Sequence, residues 1–104
     1  MENYRILVVD DEESMLALLS SILTKEGYQV VTAGNGQAAI GILGRQEFNM
    51  VISDLKMPGV GGLELVQHIR ELYPETLTVM LTAHGTIDIA VEAMKQGAWD
   101  FLTK

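Results

Sequence analysis

Short apolar runs alternate with segments whose apolar residues recur every three or four positions. That alternation constrains the fold more than any other feature of the chain. Ile6-Leu7-Val8-Val9 is the first run, and it stops at Asp10-Asp11. Beyond Ser14, the residues Met15, Leu18, Leu19, Ile22 and Leu23 fall on one helical face, and Gly27 follows as a stop signal. Tyr28 to Ala33 predicts a second strand, closed by Gly34-Asn35-Gly36. Ala38, Ala39, Ile42 and Leu43 predict a second helix, although Gly41 and Gly44 each weaken it by up to about 1 kcal/mol relative to Ala. Met50-Val51-Ile52 starts a third strand that ends at Asp54. After the loop from Leu55 to Gly62, the residues Leu65, Val66, Ile69 and Leu72 mark a third helix, which Pro74 stops. Leu77 to Leu81 predicts a fourth strand, Ile87, Val91 and Met94 a fourth helix ending at Gly97, and Ala98 to Thr103 a fifth strand.

Strands alternating with helices over short loops predict parallel β-α-β units in an α/β fold. The third and fourth strands are apolar on both pleat faces, as expected of a sheet covered on both sides. Right-handed crossovers, with the second strand outside the first and the others running the opposite way, give a doubly wound five-stranded sheet of order 2-1-3-4-5. The first helix then covers one face and the other three cover the opposite one. Five strands span roughly 24 Å, and a helix covers only about 10 Å. Residues 1–104 are therefore expected to form one domain that lacks its last helix. The strip over the third to fifth strands is expected to be covered by residues after Lys104 or by a second chain.

Composition removes several function classes. The chain has no Cys, which excludes disulfides, a thiol nucleophile and a cysteine–zinc site. Its 14 Asp+Glu against 7 Lys+Arg give a net charge of −7, an unfavourable balance for binding nucleic acid. The apolar runs are far shorter than a membrane span, and nothing at the N-terminus reads as a signal peptide, so the expected location is the cytoplasm.

The polar residues at the strand ends carry the chemistry. Asp10 and Asp11 follow the first strand, Asp54 ends the third, Thr82 ends the fourth and Lys104 follows the fifth. An open parallel sheet gathers these ends at one edge, and ligands bind where the strand order reverses. Carboxylates converging there repel unless a cation or a proton intervenes. Hard oxygen ligands without His or Cys favour Mg²⁺. A hydroxyl and an ammonium beside such a cation suit a phosphoryl group, and an Asp carboxylate can itself accept one.

Val8-Val9-Asp10-Asp11-Glu12, Asp54 with Met57-Pro58-Gly59, Leu81-Thr82-Ala83, and Gly97 to Lys104 together resemble a two-component response-regulator receiver domain. The segment from Leu81 to Lys104 is especially similar to receivers of NtrC-like, sigma-54-dependent activators. The resemblance spans the chain and implies a flavodoxin-like (CheY-like) fold. It implies that Asp54 accepts a phosphoryl group from a sensor histidine kinase. Asp11, Asp54 and the backbone carbonyl of Lys56 would ligate Mg²⁺, with Asp10 holding a metal-bound water. Lys104 would contact Asp54 and the phosphoryl oxygens, Thr82 would hydrogen-bond the phosphoryl group, and Phe101 would be the switch aromatic. The expected partners are the kinase, an output domain beyond residue 104 and a second copy. The expected chemistry is the domain's own phosphotransfer and dephosphorylation, with no external turnover. Gly61 departs from the acidic or amide residue common at that position, a change confined to a helix cap.

Blander readings compete at each point. Asp10-Asp11 alone suits a helix N-cap, Phe101 alone suits the core, and His68 is expected in solvent and His84 at the surface. Gly34-Asn35-Gly36-Gln37-Ala38-Ala39 matches the dinucleotide fingerprint G-x-G-x-x-A but follows the second strand, where that fingerprint does not belong. A phosphoaspartate hydrolase needs an acid two residues after its nucleophile, and Lys56 occupies that place. A receiver used only for docking is the remaining alternative.

Overall fold

In the computed structural model, which describes residues 4–57, 59–82 and 87–103, strands and helices alternate throughout. They are β1 (Arg5–Val9), α1 (Glu13–Lys25), β2 (Gln29–Ala33), α2 (Gly36–Leu43), β3 (Met50–Asp54), α3 (Gly62–Leu72), β4 (Leu77–Thr82), α4 (Ile87–Lys95) and β5 (Asp100–Thr103). All strand pairs are parallel, and the sheet order is β2-β1-β3-β4-β5, the doubly wound order expected from the sequence.

The pleat divides the core into two layers. Leu7, Val9 and Val51 point to one side, where Ala39 and Leu43 of α2 and Leu65 and Ile69 of α3 meet them. Further along that side, Met80 packs with Val66 of α3 and Ala93 of α4. Ile6, Val8, Ile52, Val79 and Leu81 point the other way, toward Leu16, Leu19 and Leu23 of α1. The helices thus distribute over the faces as the sequence predicts. α1 lies over β1 and β2, and its Leu18 and Ile22 stay exposed. Leu102, in register with Leu81, is exposed on the same sheet face.

Element ends follow local chemistry. Gly27 adopts a φ of +98°, and the following Tyr28 N–H returns to the Leu23 carbonyl at 3.2 Å, which closes α1 and delays β2 to Gln29. β5 begins two residues later than the apolar pattern suggests. Ala98 is engaged in closing α4, its N–H donating to the Ala93 carbonyl at 3.0 Å. In the Gly34-Asn35-Gly36 turn, the Asn35 side chain accepts the Ala38 N–H at 2.8 Å and caps α2. A Cβ on Gly36 would collide with Val60, so the loop after β3 rests directly on the start of α2. Capping and close packing account for the motif, and Val60 occupies the helix end that a pyrophosphate would need.

His68 departs from expectation. Its Nε2 is buried with no hydrogen-bond partner among the described residues, and its ring stands edge-on to Tyr73 at 5.9 Å. The Tyr73 ring, itself packed on the core, covers that edge of α3.

Gly62 is the tightest point near the carboxyl end of β3. A Cβ there would lie 2.6 Å from the Asp54 carbonyl oxygen and 2.7 Å from both Leu55 Cα and Met80 Cε. Two of these neighbours are backbone atoms that cannot yield as a side chain would. Gly62→Ala is expected to lower stability by about 1–3 kcal/mol despite the better helix propensity of Ala, as measured by urea unfolding. Gly41→Ala, where a Cβ meets only a distant Arg45 nitrogen at 3.9 Å, is expected to stabilise.

Candidate functional site

β1 and β3 are neighbours, with Val9 opposite Ser53. One step further, both chains carry an aspartate, Asp10 and Asp54, and both side chains are buried. Backbone bonds fix this edge from both sides. The Asp10 N–H donates to the Ala33 carbonyl of β2 at 3.1 Å, and the Leu55 N–H donates to the Leu81 carbonyl of β4 at 3.1 Å.

Asp10 also turns the chain into α1, because its Oδ1 accepts the Glu12 N–H at 2.9 Å. Glu12 is the N-cap of α1, with extended backbone and no side-chain capping bond. Its carboxylate instead faces the aspartates, and one oxygen from each of Asp10, Glu12 and Asp54 lies within 4.8 Å of the others. Neither aspartate of the pair serves as the helix cap that the bland reading assigns them.

Glu12 thus joins Asp10 and Asp54 in the cluster, a residue that the sequence reading did not name among the ligands. The two-residue turn at Asp10 brings the carboxylates of positions 10 and 12 together beside Asp54, while Asp11 and Glu12 both stay exposed. A signal for Glu12 was present in the Asp10-Asp11-Glu12 run, since an i, i+2 turn brings the first and third acids together. Asp54 Oδ1 accepts the Lys56 N–H at 3.3 Å, which orients the carboxylate, and the Lys56 side chain is exposed.

Two full negative charges at about 4.8 Å repel by about 3 kcal/mol at an effective dielectric near 20. Burial adds a desolvation cost to each. Three oxygen donors at this spacing, two of them buried, fit a small hard cation that keeps part of its water shell. No nitrogen or sulfur donor joins the cluster among the described residues.

Thr82 ends β4 with its side chain buried, opposite Thr103 of β5. Phe101 is opposite Met80, two residues before Thr82 on the same pleat face. It is half-buried against the cluster formed by Leu55, Val66, Met80, Ala93 and Ala98. Thr82 and Phe101 thus share one side of the sheet, a step apart. Lys104 and His84 lie outside the described residues.

No helix of the described residues is long and apolar enough to cross a membrane. The model of the response regulator receiver domain matches residues 6–104. The chain is 44% identical over 99 residues to the transcriptional regulatory protein GlrR of Escherichia coli K12, covering 95% of this chain and 22% of that protein. It is 33% identical over 104 residues to sporulation initiation phosphotransferase F of Bacillus subtilis, covering 100% of this chain and 84% of that one. Among solved structures, the receiver domain of NtrX from Brucella abortus superposes with a TM-score of 0.91 at 37% identity, over 95% of this chain and 84% of that one. The sheet order, the acidic strand ends and a family match over nearly the whole chain agree, and the chain belongs to the response regulator receiver domain family.

Proposed function

We propose that the chain is the phosphoacceptor switch of a two-component regulator and that Asp54 is the residue modified. The observation that carries this reading is the meeting of the Asp10, Glu12 and Asp54 carboxylates at the edge where Thr82 also ends its strand. In the proposed step, an Asp54 carboxylate oxygen attacks the phosphorus of a phosphohistidine on the sensor kinase. The P–N bond breaks, and the imidazole leaves with the electron pair and takes up a proton. Water later attacks the acyl phosphate, releasing inorganic phosphate and restoring the carboxylate. The domain acts on itself and turns over no external substrate.

Asp10, Glu12 and Asp54 would hold Mg²⁺, with Asp11 and the Lys56 carbonyl as the further oxygen donors that family resemblance implies. When bound, the cation neutralises charge on the carboxylates and on the phosphoryl oxygens. Lys56 N–H holds Asp54 in orientation. The Thr82 hydroxyl and the Lys104 ammonium meet the about 1.5–2 negative charges that phosphorylation adds.

The output follows from the shared pleat face of Thr82 and Phe101. Thr82 drawn toward the phosphoryl group leaves room into which Phe101 turns, and the α4–β5 surface changes shape. Exposed Val91 and Met94 on α4, together with Trp99 before β5, give that surface an apolar character suited to a partner. The partner would be an output domain after residue 104, transcriptional as in GlrR, or a second copy of the receiver. GlrR is several times longer than this chain, which supports a further domain. The exposed Leu18, Ile22 and Leu102 support a covering helix on the α1 side. The kinase would be met in the cytoplasm.

Incubation with Mg²⁺ and acetyl phosphate is expected to add the mass of one phosphoryl group, abolished in Asp54→Asn. No mass change in a folded chain would overturn the reading. Partner binding insensitive to Asp54→Ala would favour a docking-only module. Saturating Mg²⁺ is expected to raise the unfolding free energy, by about 2.7 kcal/mol at a hundred times its dissociation constant. In EDTA, Asp10→Asn is expected to be more stable than the parent by on the order of 1–3 kcal/mol, because it keeps the acceptor for the Glu12 N–H and removes one repelling charge. Urea unfolding with and without Mg²⁺ checks both.

A further inference from the structure

α4 is anchored at its carboxyl end by a series of backbone bonds. The Gly97 N–H donates to the Met94 carbonyl at 3.2 Å, and the Ala98 N–H donates to the Ala93 carbonyl at 3.0 Å. With Gly97 at a φ of +117°, this is a Schellman closure. Ala93 and Ala98, the two residues it joins, are both buried in the cluster with Leu55, Val66 and Met80. The Trp99 N–H then ties the chain to β4 through the Thr78 carbonyl at 2.7 Å.

A side chain from another helix completes the corner. Arg70 of α3 donates from its Nη1 to the Gln96 carbonyl at 3.2 Å. Its stem lies along Gly97, where a Cβ would come within 3.0 Å of Arg70 Cδ and 3.5 Å of Cγ. A cationic donor at a helix C-terminus also complements the helix dipole. Gly97 is therefore fixed twice, by its backbone conformation and by the arginine lying across it.

We propose that Arg70 is a positioning residue of the switch, a latch that holds the carboxyl end of α4 on α3. The helix then responds to phosphorylation by pivoting about the Gln96–Gly97 corner, with its Ile87 end as the moving end. This rests on the phosphoacceptor reading above, whereas the latch itself is a property of the resting chain. A contact kept in both states does not bias their populations. It decides which end of the helix moves, and therefore which part of the α4 surface changes.

Site-resolved hydrogen exchange on the 104-residue chain separates the two claims. In the resting chain, Arg70→Ala is expected to speed exchange of the Gln96, Gly97 and Ala98 amides several-fold relative to β1 and β3 amides. Arg70→Met, which keeps most of the stem on Gly97, is expected to fall between. Unchanged exchange in both variants would overturn the latch. With Mg²⁺ and beryllofluoride, the parent is expected to show amide changes that are largest at the Ile87 end and smallest at Gln96–Ala98. In Arg70→Ala this gradient is expected to flatten while acetyl phosphate still modifies the chain. A change as large at Gln96–Ala98 as at Ile87 in the parent, or an unaltered gradient in Arg70→Ala, would overturn the pivot. No beryllofluoride response together with no acetyl-phosphate mass change would overturn the phosphoacceptor reading and the pivot with it, leaving the latch to the resting-state measurement.

Discussion

The mutual repulsion of carboxylates at one sheet edge is the constraint around which the rest of the domain is arranged. A parallel sheet places every strand's carboxyl end on the same side, so acids that end β1 and β3 are brought together by topology alone. Asp10 and Asp54 are buried there, and Glu12 is directed to them by the Asp10 turn. Hydrophobic layers on both faces hold the strands in register against that repulsion. The same crowding is what a bound cation would relieve, because neutralisation is worth most where charges are close and poorly hydrated.

The glycines show how tightly the surroundings are set. Gly36 admits the β3–α3 loop against the start of α2, and Gly62 admits α3 against the backbone of Asp54 and Leu55. Both contacts press on the segment that follows Asp54. The loop is thereby braced by two helices, and it carries Lys56, whose N–H orients the aspartate. Loss of a capping side chain at Gly61 is offset in part by Glu64, whose carboxylate accepts the Gly61 N–H at 3.5 Å.

The strand order, the division of helices between the faces and the gathering of Asp10, Asp54 and Thr82 were legible in the sequence. Periodicity and crossover handedness assign the helices to their faces once a doubly wound order is taken, and all of these depend on pattern rather than on atomic detail. Other features depend on side-chain direction within a turn or on contacts across elements, which periodicity does not encode. The presence of Glu12 in the acidic cluster is of the first kind, since a two-residue turn brings its carboxylate to Asp10 and Asp54. The covering of His68 by Tyr73, the late start of β5 and the Arg70 contact with the end of α4 are of the second. In the Gly34-Asn35-Gly36 segment the sequence offers a nucleotide fingerprint, and only the position of Val60 shows what the glycines serve.

The sheet order has a consequence for how the chain assembles as it emerges during synthesis. β1 comes first and is flanked by β2 and β3, β4 then pairs outside β3, and β5 outside β4. Each new strand meets a free edge already formed, and none has to be threaded between two paired neighbours. Growth therefore runs outward in one direction once β3 is in place. In chain order the two strands that carry Asp10 and Asp54 at their ends thus precede β4, and Thr82 is the later addition to an edge whose charges are already specified.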